Sequence, residues 1–179
     1  MSERAWHEQG LRDAALAGDA RAWRLLVEQH QDAVRRYLAW RLGGCLSTLD
    51  DLAQESWLIA ARSLRRFAPD RGAFQHWLFG IAANVCRNHL RSRRRSKQQP
   101  LPEHLEPSET PVQHEQAERV AQALAELPEH YERLLRAKYF EEASVECIAQ
   151  TEGQTIKAIE SMLTRARAAF RESYQRETS

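Results

Sequence analysis

The chain has 179 residues, 42% of them apolar, which is enough for packed cores in one or two domains and argues against global disorder. Charged residues make up 28% and nearly cancel, leaving a formal net charge of +1. Three scattered cysteines (Cys45, Cys86, Cys147) without a C-x-x-C pair argue against a disulfide framework, and a polar N-terminus with no long apolar run argues against a secretory leader or a membrane span.

Helical periodicity governs the first part of the chain. Leu11, Ala15, Leu16, Trp23, Leu26, Val27, Val34, Tyr37, Leu38 and Leu42 recur at gaps of three and four residues, not in alternation. Gly18-Asp19 interrupts this run, with Asp19 placed to cap the second helix, and Gly43-Gly44 stops it. A third helix is expected over Leu49–Arg66, with Ser47, Thr48 and Asp50 as capping residues. A turn cluster, Pro69-Asp-Arg-Gly72, separates it from a fourth helix running from about Phe74 to Arg94.

Composition then changes. Residues 96–116 hold four of the six prolines and a net acidic charge, and carry no aromatic residue, as an extended linker would. The linker separates a basic half from an acidic one. Residues 1–95 carry 16 Lys and Arg against 10 Asp and Glu, whereas residues 117–179 carry 9 against 11. Further helices are expected over about 113–126, 128–140 (with Pro128 in its first turn), 144–151 and 155–174. The fold class is therefore all-α: a four-helix N-terminal domain (8–95), an acidic Pro-rich linker (96–116) and a smaller helical C-terminal domain (117–176).

The last two segments have helix-turn-helix spacing. Ala149 is followed four residues later by Gly153, which suits a left-handed turn, and ten residues later by the apolar anchor Ile159. Thr155 is placed to cap the second helix. Ile156, Ile159, Leu163, Ala166 and Phe170 form its expected core stripe. Thr155, Lys157, Ala158, Glu160, Ser161, Thr164 and Arg165 lie off that stripe, free to reach a major groove, and Arg165 and Arg167 add charge for phosphates. Glu152 and Gln154 flank the glycine where apolar residues would pack better.

A second nucleic-acid signal lies at the end of the fourth helix. Arg87, Arg91, Arg93, Arg94, Arg95 and Lys97 fall within eleven residues with no acid among them, just after the aromatic patch Phe67, Phe74, Trp77 and Phe79. Basic charge beside aromatic walls suits single-stranded or melting DNA, although aromatic residues at helical spacing also suit a core. The alternative reading of the run is a solvated helix end favoured by the helix dipole.

No residues point to catalysis. The seven histidines form no H-E-x-x-H or closed ligand set, the Cys86/His89 pair supplies only two ligands, and no phosphate-binding or nucleophile-elbow motif occurs. No cofactor, metal or catalytic residue is expected. A stand-alone helix-turn-helix regulator is the alternative, and it would need a dimer to read two half-sites.

The segments Asp50–Leu58 (DDLAQESWL) and Phe74–Asn84 (FQHWLFGIAAN), followed by the Arg run, resemble the second region of extracytoplasmic-function sigma factors. Leu127-Pro128, Arg133, the helix-turn-helix and Lys157–Arg167 (KAIESMLTRAR) resemble their fourth region. The resemblance covers about residues 20–175. It implies a transcription initiation factor that binds core RNA polymerase through the β′ and β subunits and recognises promoter DNA. In this resemblance Asp51, Gln54 and Glu55 dock on the β′ clamp helices. The loop Phe67–Phe74 and Asn84 capture a flipped base of the −10 element beside the Arg run. The helix Thr155–Arg167 reads the −35 element, and the linker threads toward the active centre. The resemblance also implies an anti-sigma partner, a monomer when free, and a cytoplasmic location. Asn88-His89 departs from a common family form with Asp near that position.

Overall fold

The structure is a computed structural model and describes residues 3–43, 47–68, 73–97 and 111–176; side chains of 3–5, 96–97 and 111–114 are outside the description. The described residues form the helices α1 (Glu3–Leu16), α2 (Ala20–Arg41), α3 (Leu49–Ser63), α4 (Phe74–Lys97), α5 (Pro111–Glu126), α6 (Glu129–Leu135), α7 (Val145–Glu152) and α8 (Ile156–Arg176). A 3-10 turn, Leu64–Arg66, follows α3, and a π-helical turn, Arg136–Phe140, extends α6. The chain divides into two compact units, Met1–Ala39 with Gly44–Leu101 and Trp40–Gly43 with Pro102–Ser179.

In the first unit the apolar periodicity becomes a core. Leu26, Val34, Tyr37 and Leu38 of α2 are buried, as are Leu52, Ala53 and Ala60 of α3 and Leu78, Phe79, Ala82, Val85 and Cys86 of α4. Tyr37 stacks on Phe79 at 4.6 Å between centroids, and Trp23 meets Trp57 edge-on at 5.8 Å. Such aromatic pairs add to area burial, by about 0.5–1.5 kcal/mol each. Asp19 caps α2 as expected: its Oδ1 accepts from the amides of Arg21 (2.8 Å) and Ala22 (3.3 Å). Thr48 precedes α3 but makes no side-chain cap. Its ψ of 6° lies far from the extended conformation that aims a hydroxyl at the first-turn amides.

The start of α4 is held from a distance. Ala73 sits just before Phe74 and has no side-chain acceptor, so α4 lacks a local cap. The buried carboxylate of Glu8, on α1, takes that role, its Oε2 accepting the Phe74 amide at 3.0 Å while Oε1 lies 3.8 Å from His30 Nε2. The apolar periodicity begins only at Leu11, whereas α1 starts at Glu3, so Glu8 lies on a helical turn that the apolar pattern does not mark.

The second unit packs Leu124, Leu127, Leu134, Leu135, Ile148, Ala149, Ile159, Leu163 and Ala166 into one cluster. Helix α5 begins at Pro111, well inside the expected linker; proline suits a first helical position because its missing N–H would have no partner there. Linker residues 98–110 lie outside the described residues. Pro128 stands one position ahead of its expected place: it is the N-cap of α6, and its carbonyl accepts from Tyr131 and Glu132. Ile156, expected in the core stripe, is 45% exposed, because it opens α8 one turn ahead of Ile159, the first α8 residue that the core covers.

Candidate functional site

Two surfaces carry the expected site residues, one in each unit. In the second, α7 and α8 form the helix-turn-helix. Ser144 caps α7 by accepting from the Cys147 amide at 3.2 Å. Gly153 adopts φ +62°, a left-handed conformation that a side chain would strain, and the Gln154 amide closes back on the Ala149 carbonyl at 2.9 Å. Thr155 caps α8 through the Ala158 amide at 3.2 Å, so its hydroxyl is engaged with the backbone. Thr155, Lys157, Glu160, Ser161, Thr164 and Arg165 are exposed, whereas Ala158 and Arg167 are half-buried.

Glu152, beside the turn, has a use that spacing did not reveal. Glu152 receives both Nε and Nη2 of Arg133, at 2.9 and 3.1 Å, a bidentate pair tying α6 to the end of α7. An acid where an apolar residue would pack is therefore the anchor of a clamp. On the other side, Arg167 Nε donates to the Tyr139 hydroxyl at 2.7 Å, tying α8 to the π-helical turn. Opposite charge at 133 and 152 was the available signal; the 19-residue separation hid it.

In the first unit, Trp77, Asn84, Arg87, Arg91 and Arg95 follow one another at helical spacing along one side of α4. Trp77 is half-buried, Asn84 is exposed and accepts from Arg87 Nη1 at 2.9 Å, and Arg91, Arg94 and Arg95 are exposed; Arg93 is half-buried. The result is a positive stripe that begins beside an indole.

Two expected base-contacting residues do not join that surface. Phe67 and Phe74 are buried, edge-to-face at 5.2 Å, with Trp77 against both and His30 at 5.2 Å from Phe74. Their faces are taken up by packing, which removes more apolar area from water than a surface position would. They floor the region beside Trp77 and offer no ring to a base. Loop residues 69–72, between them, lie outside the described residues.

Asp51, Gln54 and Glu55 are exposed on α3, off the buried stripe Leu49, Leu52, Ala53, Ser56 and Ala60. Asp51 and Glu55 also act on His89 of α4. Burial lowers the imidazole pKa below its ordinary 6.5 and the Arg93 guanidinium lowers it further, while Glu55 and Asp51 pull it upward. Among the described residues no cluster of three or more His, Cys, Asp or Glu could hold a metal ion, and no helix is long and apolar enough to cross a membrane. Cys86 is buried and Cys147 exposed.

Comparison with known families bears directly on these two surfaces. Residues 26–96 match Sigma-70 region 2 and residues 117–170 match Sigma-70 region 4. The RNA polymerase sigma-H factor of Pseudomonas aeruginosa is 30% identical over 183 residues, covering 94% of each chain. The chain belongs to the extracytoplasmic-function sigma factors. The ECF sigma factor SigE of Mycolicibacterium smegmatis is 31% identical over 166 residues, but this sigma factor spans only 63% of that relative's length, and only 31% of the length of BldN from Streptomyces coelicolor. Among solved structures, CnrH in complex with the cytosolic domain of CnrY is similar at TM-score 0.54 and 26% identity, covering 93% of this sigma factor and 96% of CnrH. The sigma factor RpoE of Bartonella quintana, solved with the anti-sigma factor NepR, shares the fold at TM-score 0.50. The basic stripe thus lies in region 2 and the helix-turn-helix in region 4.

Proposed function

We propose that this sigma factor binds core RNA polymerase and directs it to promoters, region 2 engaging the −10 element and region 4 the −35 element. The observation that carries the proposal is the pairing in one chain of a region 2 module bearing a basic stripe on α4 with a region 4 module whose α8 presents polar side chains from a capped helix-turn-helix. A free regulator would leave the region 2 module without a role.

Within this proposal Asp51, Gln54 and Glu55 dock on the β′ subunit, with further contacts to β. Trp77, Asn84, Arg87, Arg91, Arg93, Arg94 and Arg95 hold the −10 strand, phosphates by the arginines and an unstacked base beside the indole; Phe67 and Phe74 support that surface from beneath. Thr155, Lys157, Ala158, Glu160, Ser161, Thr164 and Arg165 face the −35 duplex, with Arg167 at its flank. Unstacking a base costs a few kcal/mol, offset by contacts in the bound complex, and no chemistry by this chain is required. The likeness to CnrH and to Bartonella RpoE, each solved with a protein partner, supports an anti-sigma factor as a further partner. The free chain is proposed to be a monomer in the cytoplasm.

Coprecipitation with purified core polymerase tests the first step. The wild-type chain should be retained, and the triple variant Asp51→Ala/Gln54→Ala/Glu55→Ala should be retained at least tenfold less while keeping its helical circular dichroism. Equal retention of both would contradict the docking assignment.

A further inference from the structure

The π-helical turn after α6 places one side chain at an unusual position. Tyr139 is 53% exposed, although Leu134 and Leu135, just before it, are core residues. The chain reaches Tyr139 through a widened turn closed by the Glu141 amide on the Arg136 carbonyl at 3.0 Å, five residues back. It leaves through Glu142, the only non-glycine residue with positive φ (+54°) among the described residues. Each is an uncommon conformation, and the left-handed region is sterically unfavourable for a residue with a side chain. Such conformations persist where surrounding contacts impose them, and they cluster at functional sites. The contacts are present: Arg136 Nε donates to Glu141 Oε1 at 2.9 Å, and Lys138 Nζ to the Ala143 carbonyl at 3.2 Å.

What this turn delivers is the Tyr139 hydroxyl, 2.7 Å from Arg167 Nε, with the guanidinium carbon 5.9 Å from the ring centroid. We propose that Tyr139 is a positioning residue that aims Arg167 at a phosphodiester of the duplex read by α8, the two side chains together forming a phosphate clamp at the edge of the reading face. This rests on α8 being the −35 reader.

The donor and acceptor inventory supports it. The hydroxyl accepts the Nε–H bond and retains its own proton as a donor. The guanidinium uses Nε on a neutral partner, so it keeps its full charge and leaves both terminal nitrogens to bind an anion in bidentate fashion. Arg167 lies seven residues beyond Glu160 and three beyond Thr164, which puts it on their side of α8, bordering the reading face. Arg171, exposed one turn further, extends the positive edge.

The test uses holoenzyme assembled from core polymerase and the full chain, with promoter duplex chosen by the wild-type enzyme, and measures affinity against KCl concentration. Arg167→Gln should weaken binding about tenfold and lower the log–log salt slope by about one. Tyr139→Phe should weaken binding about fivefold without altering preference among −35 sequences, since phosphate contacts position and do not specify. The double variant should bind no more weakly than Arg167→Gln alone. An unchanged salt slope in Arg167→Gln, or losses that multiply in the double variant, would overturn the clamp while leaving −35 reading intact. A wild-type holoenzyme indifferent to upstream duplex sequence would overturn both.

Discussion

Glu8 and Phe74 lie 66 residues apart in sequence, yet the Glu8 carboxylate accepts the Phe74 amide at 3.0 Å and serves as the missing cap of α4. The helix that carries the basic stripe is therefore positioned at its first residue by α1, and Phe74 is held among Phe67, Trp77 and His30. Glu8→Ala should remove a buried, charge-assisted hydrogen bond and destabilise the first unit by about 2–3 kcal/mol, read as a lower midpoint in urea unfolding followed by tryptophan fluorescence. A midpoint unchanged from wild type would show that water replaces the carboxylate without loss.

His89 gives the first unit a pH dependence. Its folded pKa is lowered by burial and by Arg93, below the 6.5 expected of the unfolded chain. Between the two values the unfolded state binds more protons, so stability rises with pH there and is lost as pH falls below about 6.5. His89→Gln should flatten this: its urea midpoints at about pH 5 and pH 7.5 should lie closer together than those of the wild type. Identical pH profiles would mean that His89 protonates freely in the folded chain.

Much of this architecture is legible in the sequence because helices announce themselves by period. Asp19, Gly153 and Thr155 act where spacing placed them, since caps and left-handed turns are local chemistry. Contacts between distant residues are not local: nothing near position 8 signals α4, and nothing in Glu152 signals Arg133. Phe67 and Phe74 illustrate a different limit, because aromatic residues beside a turn give the same pattern whether they line a pocket or fill a core. Ile156 fits the stripe by period, but it opens the helix ahead of the packed region.

The Arg133–Glu152 pair should show measurable coupling despite its partial exposure. With side chains 44% and 26% exposed, solvent screening reduces the pair's worth, and a double-mutant cycle over Arg133→Met and Glu152→Gln should give about 0.5–1 kcal/mol. Strictly additive losses would mean that the bidentate geometry contributes nothing to holding the turn.

The stripe on α4 makes a prediction about ionic strength. Replacing Arg91, Arg94 and Arg95 by Ala removes up to three phosphate contacts, so the salt slope of promoter binding by the holoenzyme should fall by roughly two to three. A slope equal to that of the wild type would assign these arginines to solvent.

Promoter selection by this sigma factor is tested most directly by sequencing the 5′ ends of transcripts made by core polymerase on fragmented genomic DNA with and without this chain. With the chain present, a new set of start sites sharing two upstream elements at fixed separation should appear. Start sites that are the same in both reactions would contradict it.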